Sequence, residues 1–424
     1  MSSLLIQHGT IIDPSQKIQR KADLFIRDGR IATASAGAKA DRVIDASGCF
    51  VTPGLIDIHV HFREPGDEEE ETIASGSAAA VAGGFTTVCC MPNTKPPLDN
   101  EGMIEFVRRE SERVGLARVL PIGAITKERA GKELAEIGSM VERGAIAFSD
   151  DGVGVADAAV MRKALQYCKM FDALIMQHCE EPSLGGGCMH AGLVSTVLGL
   201  PGIPAEAEQL MIGRDLMLNR TINGRYHVQH ISTAYSVELI RIAKREGMNV
   251  TAEVAPHHLL LTDESCRGYD TNYKMNPPLR TANDVKACIE GVKDGTIDCL
   301  ATDHAPHRAE EKELEFQYAP FGILSIECAL ALYIKALVEP GHVDWTKLID
   351  LMSTQPARII KLDRGTLREG SAADVTVIDP NREWTIDIDS FESKSRNCPF
   401  NGWKVKGCAT HTIVNGDIKW TARK

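Results

Sequence analysis

The sequence has little of several features that mark particular classes of protein. Lysine and arginine (47) are fewer than aspartate and glutamate (58), which gives a formal net charge of -11. This balance argues against a nucleic-acid partner or an anionic membrane surface. No apolar run approaches the roughly 18 residues that a membrane helix needs, and no leader segment is recognisable. We therefore expect a cytoplasmic protein.

Cysteine is present in 12 copies, but these form no Cys-Xaa-Xaa-Cys pair and no zinc-ribbon spacing. We expect most of them to be reduced residues of the core or the strands. Aromatic residues make up only 5% of the 424 residues, yet the hydrophobic fraction of 43% is enough for a large core. The length fits two or three domains, or one barrel with a smaller companion.

The two ends of the chain share short alternating segments separated by turn signals. Before residue 52 these are LLIQHGTIID, ADLFIRDGRIATA and RVIDASGCFV, and after residue 363 they include ADVTVIDP and ATHTIVNGDIKWTA. Such alternation is typical of half-buried β-strands. We predict that residues 1–52 and 363–424 pair into one small β-sandwich domain.

Residues 53–362 alternate between strand-like runs and helical segments. The eight strand candidates are GLIDIHVHF, GFTTVCCMPN, ARVLPIGAIT, GAIAFSDD, ALIMQHCEE, YHVQHIST, NVTAEVAPHH and IDCLATDHAP. This pattern predicts an α/β fold, a (β/α)8 TIM-type barrel, although a doubly wound open sheet would also alternate. Polar residues cluster where the apolar runs end, which is where a barrel carries its active site.

The first strand candidate places His59 and His61 on one face, because side chains alternate along a strand. Two imidazoles at this spacing can bind one divalent ion, whereas a lone histidine is more often structural. His178, His230 and Asp303 follow three other candidates, and each alone has an ordinary explanation as a polar residue near a surface. Together the five residues supply ligands for a pair of zinc-like ions.

A pair of ions also needs a bridging carboxylate, and the run GAIAFSDDG ends in Asp150 and Asp151. Only one of these neighbours is expected to face inward, and the alternative for either is an Asp-Gly turn. No lysine lies between Gly144 and Ala159, so this segment offers no carbamylated lysine. An aspartate is therefore the expected bridge.

The motifs of this chain resemble those of the amidohydrolase superfamily and, within it, bacterial-type dihydroorotases that use an aspartate in place of a carboxylated lysine. The resemblance covers nearly the whole chain, through DIHVHFREPG, MPNTKPP, AFSDDGVGV, HCEEP, HISTAYSVELI, EVAPHHLLLTDE, KMNPPLR, ATDHAPH and PFNGWKVKG. It implies that His59, His61 and Asp303 hold one zinc ion, that His178 and His230 hold a second, and that Asp151 bridges them. The substrate contacts it implies are His61, Arg63, Asn93, Asn276, His307 and the backbone near Phe321 and Gly322.

Elementary chemistry is consistent with these roles. The planar fork of Arg63 suits a carboxylate, although a salt bridge with one of Glu68 to Glu71 is the alternative. We interpret the acidic run GDEEEE as a solvated helix start. Asn93 and Asn276 are suited to an amide-containing ring or to turns. His257 and His258 are expected outside the ligand set, because adjacent residues diverge.

The resemblance implies reversible ring closure of N-carbamoyl-L-aspartate to L-dihydroorotate in pyrimidine (UMP) biosynthesis, with Asp303 as the catalytic proton shuttle. The polar stretch after His307 is long enough to form a lid. Three alternatives stay open: an allantoinase or hydantoinase, an inactive partner of aspartate transcarbamoylase, and a purely structural barrel. Assembly is equally open, with a homodimer and an association with aspartate transcarbamoylase both compatible with the sequence.

Overall fold

A computed structural model describes residues 3–33 and 40–422 of the chain. Its strands, in chain order, are β1 (Ser3–Gln7), β2 (Thr10–Asp13), β3 (Ile18–Lys21), β4 (Leu24–Arg27), β5 (Arg30–Ala32), β6 (Arg42–Asp45), β7 (Phe50–Pro53), β8 (Leu55–Val60), β9 (Phe85–Cys90), β10 (Arg118–Gly123), β11 (Ala147–Phe148), β12 (Leu174–Gln177), β13 (Met189–His190), β14 (Gly202–Ile203), β15 (Arg225–Val228), β16 (Val250–Val254), β17 (Cys299–Leu300), β18 (Val375–Thr385), β19 (Lys404–Val414) and β20 (Asp417–Thr421).

The α-helices are α1 (Ile73–Ala82), α2 (Glu101–Val114), α3 (Ile137–Glu142), α4 (Ala158–Met170), α5 (Leu193–Leu198), α6 (Glu206–Ile222), α7 (Ala234–Arg245), α8 (His257–Leu260), α9 (Ala282–Asp294), α10 (Ala309–Lys312), α11 (Ala329–Tyr333), α12 (Trp345–Ile349) and α13 (Gln355–Ile359). Two π-helical turns, Ile334–Val338 and Asp350–Thr354, continue α11 and join α12 to α13. In the described ranges, no helix is long and apolar enough to cross a membrane.

The eight strand candidates of the middle segment form one parallel sheet in the order β8-β9-β10-β11-β12-β15-β16-β17. A bridge between Val60 and His304 brings its two edges together, and the backbone N–H of His61 donates to the carbonyl of His304 at 2.9 Å. Helices cover the outside of this closed sheet. The predicted (β/α)8 barrel is confirmed, and the open sheet is wrong.

Local sequence signals explain where the helices around the barrel begin and end. α1 starts at a capping box in which Thr72 and Ser75 satisfy each other's backbone N–H groups. α2 starts at Asn100, whose side chain accepts hydrogen bonds from the backbone N–H groups of Gly102 and Met103. The helix ends at Gly115, which has φ of 64°. These caps fix the lengths of the helices and so the entry points of the following strands.

The two ends of the chain meet in a pair of β-sheets beside the barrel. One sheet has the order β5-β4-β1-β6 and the other β20-β19-β18-β7-β2-β3. β18 pairs antiparallel with β7, with Val377 opposite Val51, so the carboxy-terminal segment completes a sheet begun by the amino-terminal one. Ile6, Ile26 and Ile413 are buried in a core that both segments share. The predicted sandwich built from both ends is confirmed.

Candidate metal centre

Six side chains converge at the carboxy-terminal ends of the barrel strands. They are His59 and His61 from β8 and its end, Asp151 after β11, His178 after β12, His230 after β15, and Asp303 after β17. All six are buried, none being more than 5% exposed. These positions agree with the prediction from the sequence that the six residues share one edge of the sheet. Parallel strands all end at the same face of a barrel.

Asp151 lies at the middle of the group. Its Oδ1 is 3.5 Å from His59 Nε2, 3.7 Å from His178 Nδ1 and 3.5 Å from His230 Nε2. Its Oδ2 is 3.4 Å from His61 Nε2. One carboxylate therefore faces both pairs of histidines, with a different oxygen toward His61.

Asp303 approaches the same group from the other side. Its Oδ1 lies 3.4 Å from His59 Nε2 and 3.0 Å from His61 Nε2. Its backbone has φ of 50°, a left-handed conformation that an aspartate adopts at a cost of order 1–3 kcal/mol. His230 also has a positive φ, 29°. Two residues of the group therefore have strained backbones.

The spacing of the atoms around Asp151 fits shared ions better than direct hydrogen bonds. Two contacts in the group do have hydrogen-bond length, His61 Nε2 to Asp303 Oδ1 at 3.0 Å and His178 Nδ1 to His230 Nε2 at 2.9 Å. Ligand atoms at about 2.0–2.1 Å from one tetrahedral ion lie about 3.3–3.4 Å apart, close to the separations around Asp151. His59 Nε2 and Asp151 Oδ1 are buried without a hydrogen-bond partner. Buried polar atoms are rarely left unsatisfied, so these donor atoms fit a divalent metal.

The charges of the group reinforce one another. Burial opposes ionisation of His59, but Asp303, Glu253 and Asp151 together raise its pKa well above the ordinary value. Burial likewise opposes ionisation of Asp151, but the surrounding histidines, His59 first, hold its pKa well below the ordinary range. Carboxylates that stay ionised beside imidazole nitrogens form a strongly cation-attracting site.

Asp150, the neighbour of Asp151, turns away from the group. Its Oδ1 accepts from the backbone N–H groups of Ile125 and Thr126 at 2.8 and 3.0 Å, and Thr126 Oγ1 donates to its Oδ2. The inward carboxylate of this pair is thus Asp151.

Arg63 lies at the mouth of the centre, and its side chain is largely buried, with 11% of its surface exposed. Its Nε donates to the carbonyl of Pro306 at 3.1 Å and pairs with Glu70 Oε2 at 3.0 Å. Its Nη2 lies 3.4 Å from His307 Nε2. The salt bridge considered as an alternative for Arg63 is therefore present, beside a nitrogen that faces His307.

The acidic run before α1 is not uniformly solvated. Glu70 is 6% exposed and Glu71 is fully buried. Glu71 accepts from Ser75 and Ser393, and Glu70 pairs with Arg63. The interpretation of GDEEEE as a solvated helix start is wrong for these two residues, because tertiary partners compensate their burial.

The two asparagines are both engaged by neighbouring side chains. Asn93 Oδ1 lies 2.9 Å from His61 Nδ1, so it accepts from His61 when the other ring nitrogen is a metal ligand. Asn276 Nδ2 donates to Glu180 Oε2 at 2.8 Å, while its Oδ1 is buried without a partner. Asn276 thus keeps an unpaired amide oxygen.

The remaining predicted contacts lie on the segment that follows β17. His307 Nε2 donates to the carbonyl of Phe321 at 2.7 Å. Gly322 has φ of 157°, and a Cβ there would come within 2.6 Å of His307 Cδ2. A side chain at position 322 would thus displace His307.

Comparison with known proteins decides the family. A family model described as Dihydro-orotase-like matches residues 48–236. The protein named Dihydroorotase from Pelotomaculum thermopropionicum is 51% identical over 419 residues, 98% of each chain. The one from Geobacter metallireducens is 50% identical over 420 residues, 98% of this chain and 99% of its own. The chain belongs to the dihydroorotase family.

Solved structures agree with this dihydroorotase assignment at the level of the fold. The L-hydantoinase from Arthrobacter aurescens superposes with a TM-score of 0.86 and is 26% identical, covering 99% of this chain and 96% of its own. The prediction of a cyclic-amide hydrolase is supported by the family. The prediction of a metal cofactor is supported by the family and by the clusters of His and Asp side chains.

The structure of this dihydroorotase family member also contains site residues that sequence reasoning missed. Glu253, on β16, has Oε1 2.5 Å from His59 Nδ1 and Oε2 3.0 Å from His227 Nε2. Asp57 accepts from Thr302 Oγ1 at 2.5 Å and from the backbone of His59. A charged residue inside an apolar barrel strand was the available signal in both cases.

His257 and His258 lie buried on α8, next to the strand ends. His258 Nε2 donates to the carbonyl of Pro277 at 2.9 Å. Both ring nitrogens of His257 lack a hydrogen-bond partner, and burial lowers its pKa well below the ordinary value. Among the described residues, neither histidine has a ring nitrogen in a group of ligand atoms close enough to share one metal ion.

Proposed function

We propose that this chain catalyses the reversible cyclisation of N-carbamoyl-L-aspartate to L-dihydroorotate, with two zinc ions per subunit, in pyrimidine (UMP) biosynthesis. The observation that carries the proposal is the set of donor atoms on four histidines and two aspartates centred on Asp151. The names of the relatives that are about half identical over nearly the full length supply the reaction.

His59, His61 and Asp303 are proposed to hold one ion and His178 and His230 the other, with Asp151 between them. A pair of divalent ions supplies a water of lowered pKa and a Lewis acid for the amide carbonyl. Nitrogen and oxygen donors in this arrangement suit zinc, although the donor set alone also accepts cobalt and manganese.

Asp303 is proposed to move the proton. In ring opening, the oxygen of water forms a bond to the amide carbonyl carbon and the bond from that carbon to the ring nitrogen breaks. The carboxylate of Asp303 accepts the proton from the attacking oxygen and delivers it to the departing nitrogen. Its Oδ2, buried without a hydrogen-bond partner, is the atom available for this transfer.

Substrate binding is proposed to fall to the residues at the mouth. Arg63 and His307 would hold the carboxylate, because a guanidinium donates two parallel hydrogen bonds to it. The amide groups of Asn93 and Asn276, together with His61 and the backbone of Phe321 and Gly322, would orient the ring. The ring carboxylate is what distinguishes this substrate from allantoin and hydantoin.

The division of the chain and its assembly are also proposals. Residues 53–362 would form the catalytic barrel, and residues 1–52 and 363–424 the sandwich domain, in a cytoplasmic enzyme. A homodimer is the assembly we propose first, with an association with aspartate transcarbamoylase as the second. Sedimentation of the purified chain, alone and mixed with aspartate transcarbamoylase, separates these assemblies.

The experiment that tests the activity is ring opening of L-dihydroorotate by the zinc-loaded chain, with allantoin and hydantoin in parallel. Turnover of dihydroorotate alone is the expected result. Turnover of allantoin or hydantoin in preference would overturn the substrate assignment. Absence of turnover with metal bound would instead favour a scaffolding role.

A further inference from the structure

Two buried lysines hold the backbone of residues 317–322, the loop that carries Phe321 and Gly322. Lys274 Nζ donates to the carbonyls of Gln317 and Ala319 at 2.9 and 2.6 Å. The same ammonium lies 4.6 Å from the centroid of the Phe321 ring. The carbonyl of Lys274 accepts from the backbone N–H of Gly322 at 3.0 Å. This lysine therefore contacts the loop through both its side chain and its backbone.

Lys312 holds the next part of the same loop. Its Nζ donates to the carbonyls of Pro320 and Gly322 at 2.9 and 3.2 Å. Asn397 Nδ2 also donates to the carbonyl of Gly322, at 3.0 Å. The backbone oxygens of the loop are therefore turned toward cationic and amide donors.

Neither ammonium has a carboxylate partner. Lys274 is 3% exposed and Lys312 is 7% exposed. Among residues 3–33 and 40–422, neither ammonium forms a salt bridge with a carboxylate, although the charge of Asp270 acts on Lys312 and opposes the fall in its pKa. Burying a charge without a counter-ion is costly, and burial together with the charge of Lys274 lowers the pKa of Lys312 to about 7. Neutral hydrogen-bond donors would hold the same carbonyls without the free-energy cost of burying a charge.

The loop connects these charges to the mouth of the metal centre. The carbonyl of Phe321 accepts from His307 Nε2 at 2.7 Å, and that ring nitrogen lies 3.4 Å from Arg63 Nη2. The lysines thus stand behind the backbone that contacts the proposed carboxylate site. Their positive charge is balanced when an anionic ligand occupies that site.

We propose that Lys274 and Lys312 determine specificity by fixing the loop 317–322 and by placing two cationic side chains without a salt-bridge partner behind it, so that the site selects ligands that carry a carboxylate. This inference rests on the proposed function. A purely structural role for the lysines would instead affect charged and uncharged ligands equally.

The test compares kcat/KM for ring opening of L-dihydroorotate with that of its methyl ester, which has the same ring without the charge. The zinc-loaded full chain is compared with Lys274→Met, Lys312→Met and Lys312→Arg. Lys293→Met is the matched control, because Lys293 pairs with Glu290 on the exposed surface of α9. If Lys312→Met does not fold, Lys312→Gln carries the same prediction, since it keeps an N–H donor without the charge.

Each methionine variant is expected to lose about five- to tenfold in kcat/KM for the acid, mainly through KM, and less than about twofold for the ester. Lys312→Arg and Lys293→Met should keep the preference of the unmodified chain for the acid. Equal losses for acid and ester, or an unchanged preference, would overturn the inference. If the unmodified chain opens neither compound, it is the proposed function that fails.

Discussion

Glu253 Oε1 lies 2.5 Å from His59 Nδ1, on the side of the ring opposite Asp151. A carboxylate in this position fixes the ring orientation, keeps the proton on Nδ1 and makes Nε2 a better donor to a metal. The same carboxylate reaches His227 through its other oxygen at 3.0 Å. Glu253 is therefore placed to strengthen metal binding without contacting the metal.

We predict that Glu253→Gln weakens zinc binding about 10- to 100-fold, because the amide is a poorer acceptor for His59. Competition with a chromophoric chelator measures this directly. Glu339→Gln, a change on the exposed surface, is the control for loss of one negative charge. Equal zinc affinity in Glu253→Gln and the control would contradict the role assigned to Glu253.

Substitutions of Asp151 and Asp150 should have different effects, the first on metal binding and the second on the stability of the fold. We predict that Asp151→Ala loses at least one of the two zinc ions, since its carboxylate lies within 3.7 Å of a ring nitrogen of all four histidines. Asp150→Ala should keep its metal but lower the free energy of unfolding by about 2–4 kcal/mol, because Ile125 and Thr126 lose their acceptor. Metal analysis and denaturant unfolding of both variants check this, and the reverse pattern would contradict it.

Arg63→Lys is predicted to raise KM for dihydroorotate about 10- to 100-fold with a smaller effect on kcat, because lysine cannot offer two parallel hydrogen bonds to a carboxylate. Steady-state kinetics of ring opening measures the change. Arg308→Lys is the matched control, since Arg308 pairs with Glu69 and Glu311 at the surface. A KM in Arg63→Lys no higher than in that control would argue against a carboxylate clamp.

Glu327 should make the stability of the protein depend on pH. Burial raises its pKa to about 7, despite the backbone N–H groups of Glu392 and Ser393 that donate to it. A folded pKa above the unfolded value gives stability that is full below about pH 4 and lost as pH rises toward 7, by about 3 kcal/mol. Glu327→Gln mimics the protonated side chain.

The difference in Tm between Glu327→Gln and the unmodified chain should therefore grow from pH 5 to pH 8. Thermal unfolding across this range measures it, with Glu339→Gln as the exposed control. A constant difference would show that Glu327 is ionised in the folded protein throughout.

The barrel could be predicted from the sequence because each strand is an apolar run that ends in polar residues. The same rule brought His59, His178 and His230 together, since parallel strands end at one face. Side-chain alternation could not choose between Asp150 and Asp151, because β11 ends at Phe148 and strand geometry does not extend to them. That choice depends on where the backbone turns.

Contacts between distant segments could not be predicted. Glu253 pairs with a histidine 194 residues away, so the pair depends on closure of the barrel. Glu70 belongs to a run of acidic residues with nothing local to distinguish it, and its burial depends on Arg63 and His307. The two lysines behind residues 317–322 donate their hydrogen bonds to backbone carbonyls, which leave no pattern in the sequence.

Zinc titration of the metal-free chain tests the central claim most directly. The protein is stripped with a chelator, zinc is added stepwise, and ring opening of L-dihydroorotate is followed at each step. We predict no turnover without metal and a plateau at two zinc ions per chain. Turnover by the metal-free protein, or a plateau at one zinc ion, would contradict a two-metal dihydroorotase centred on Asp151.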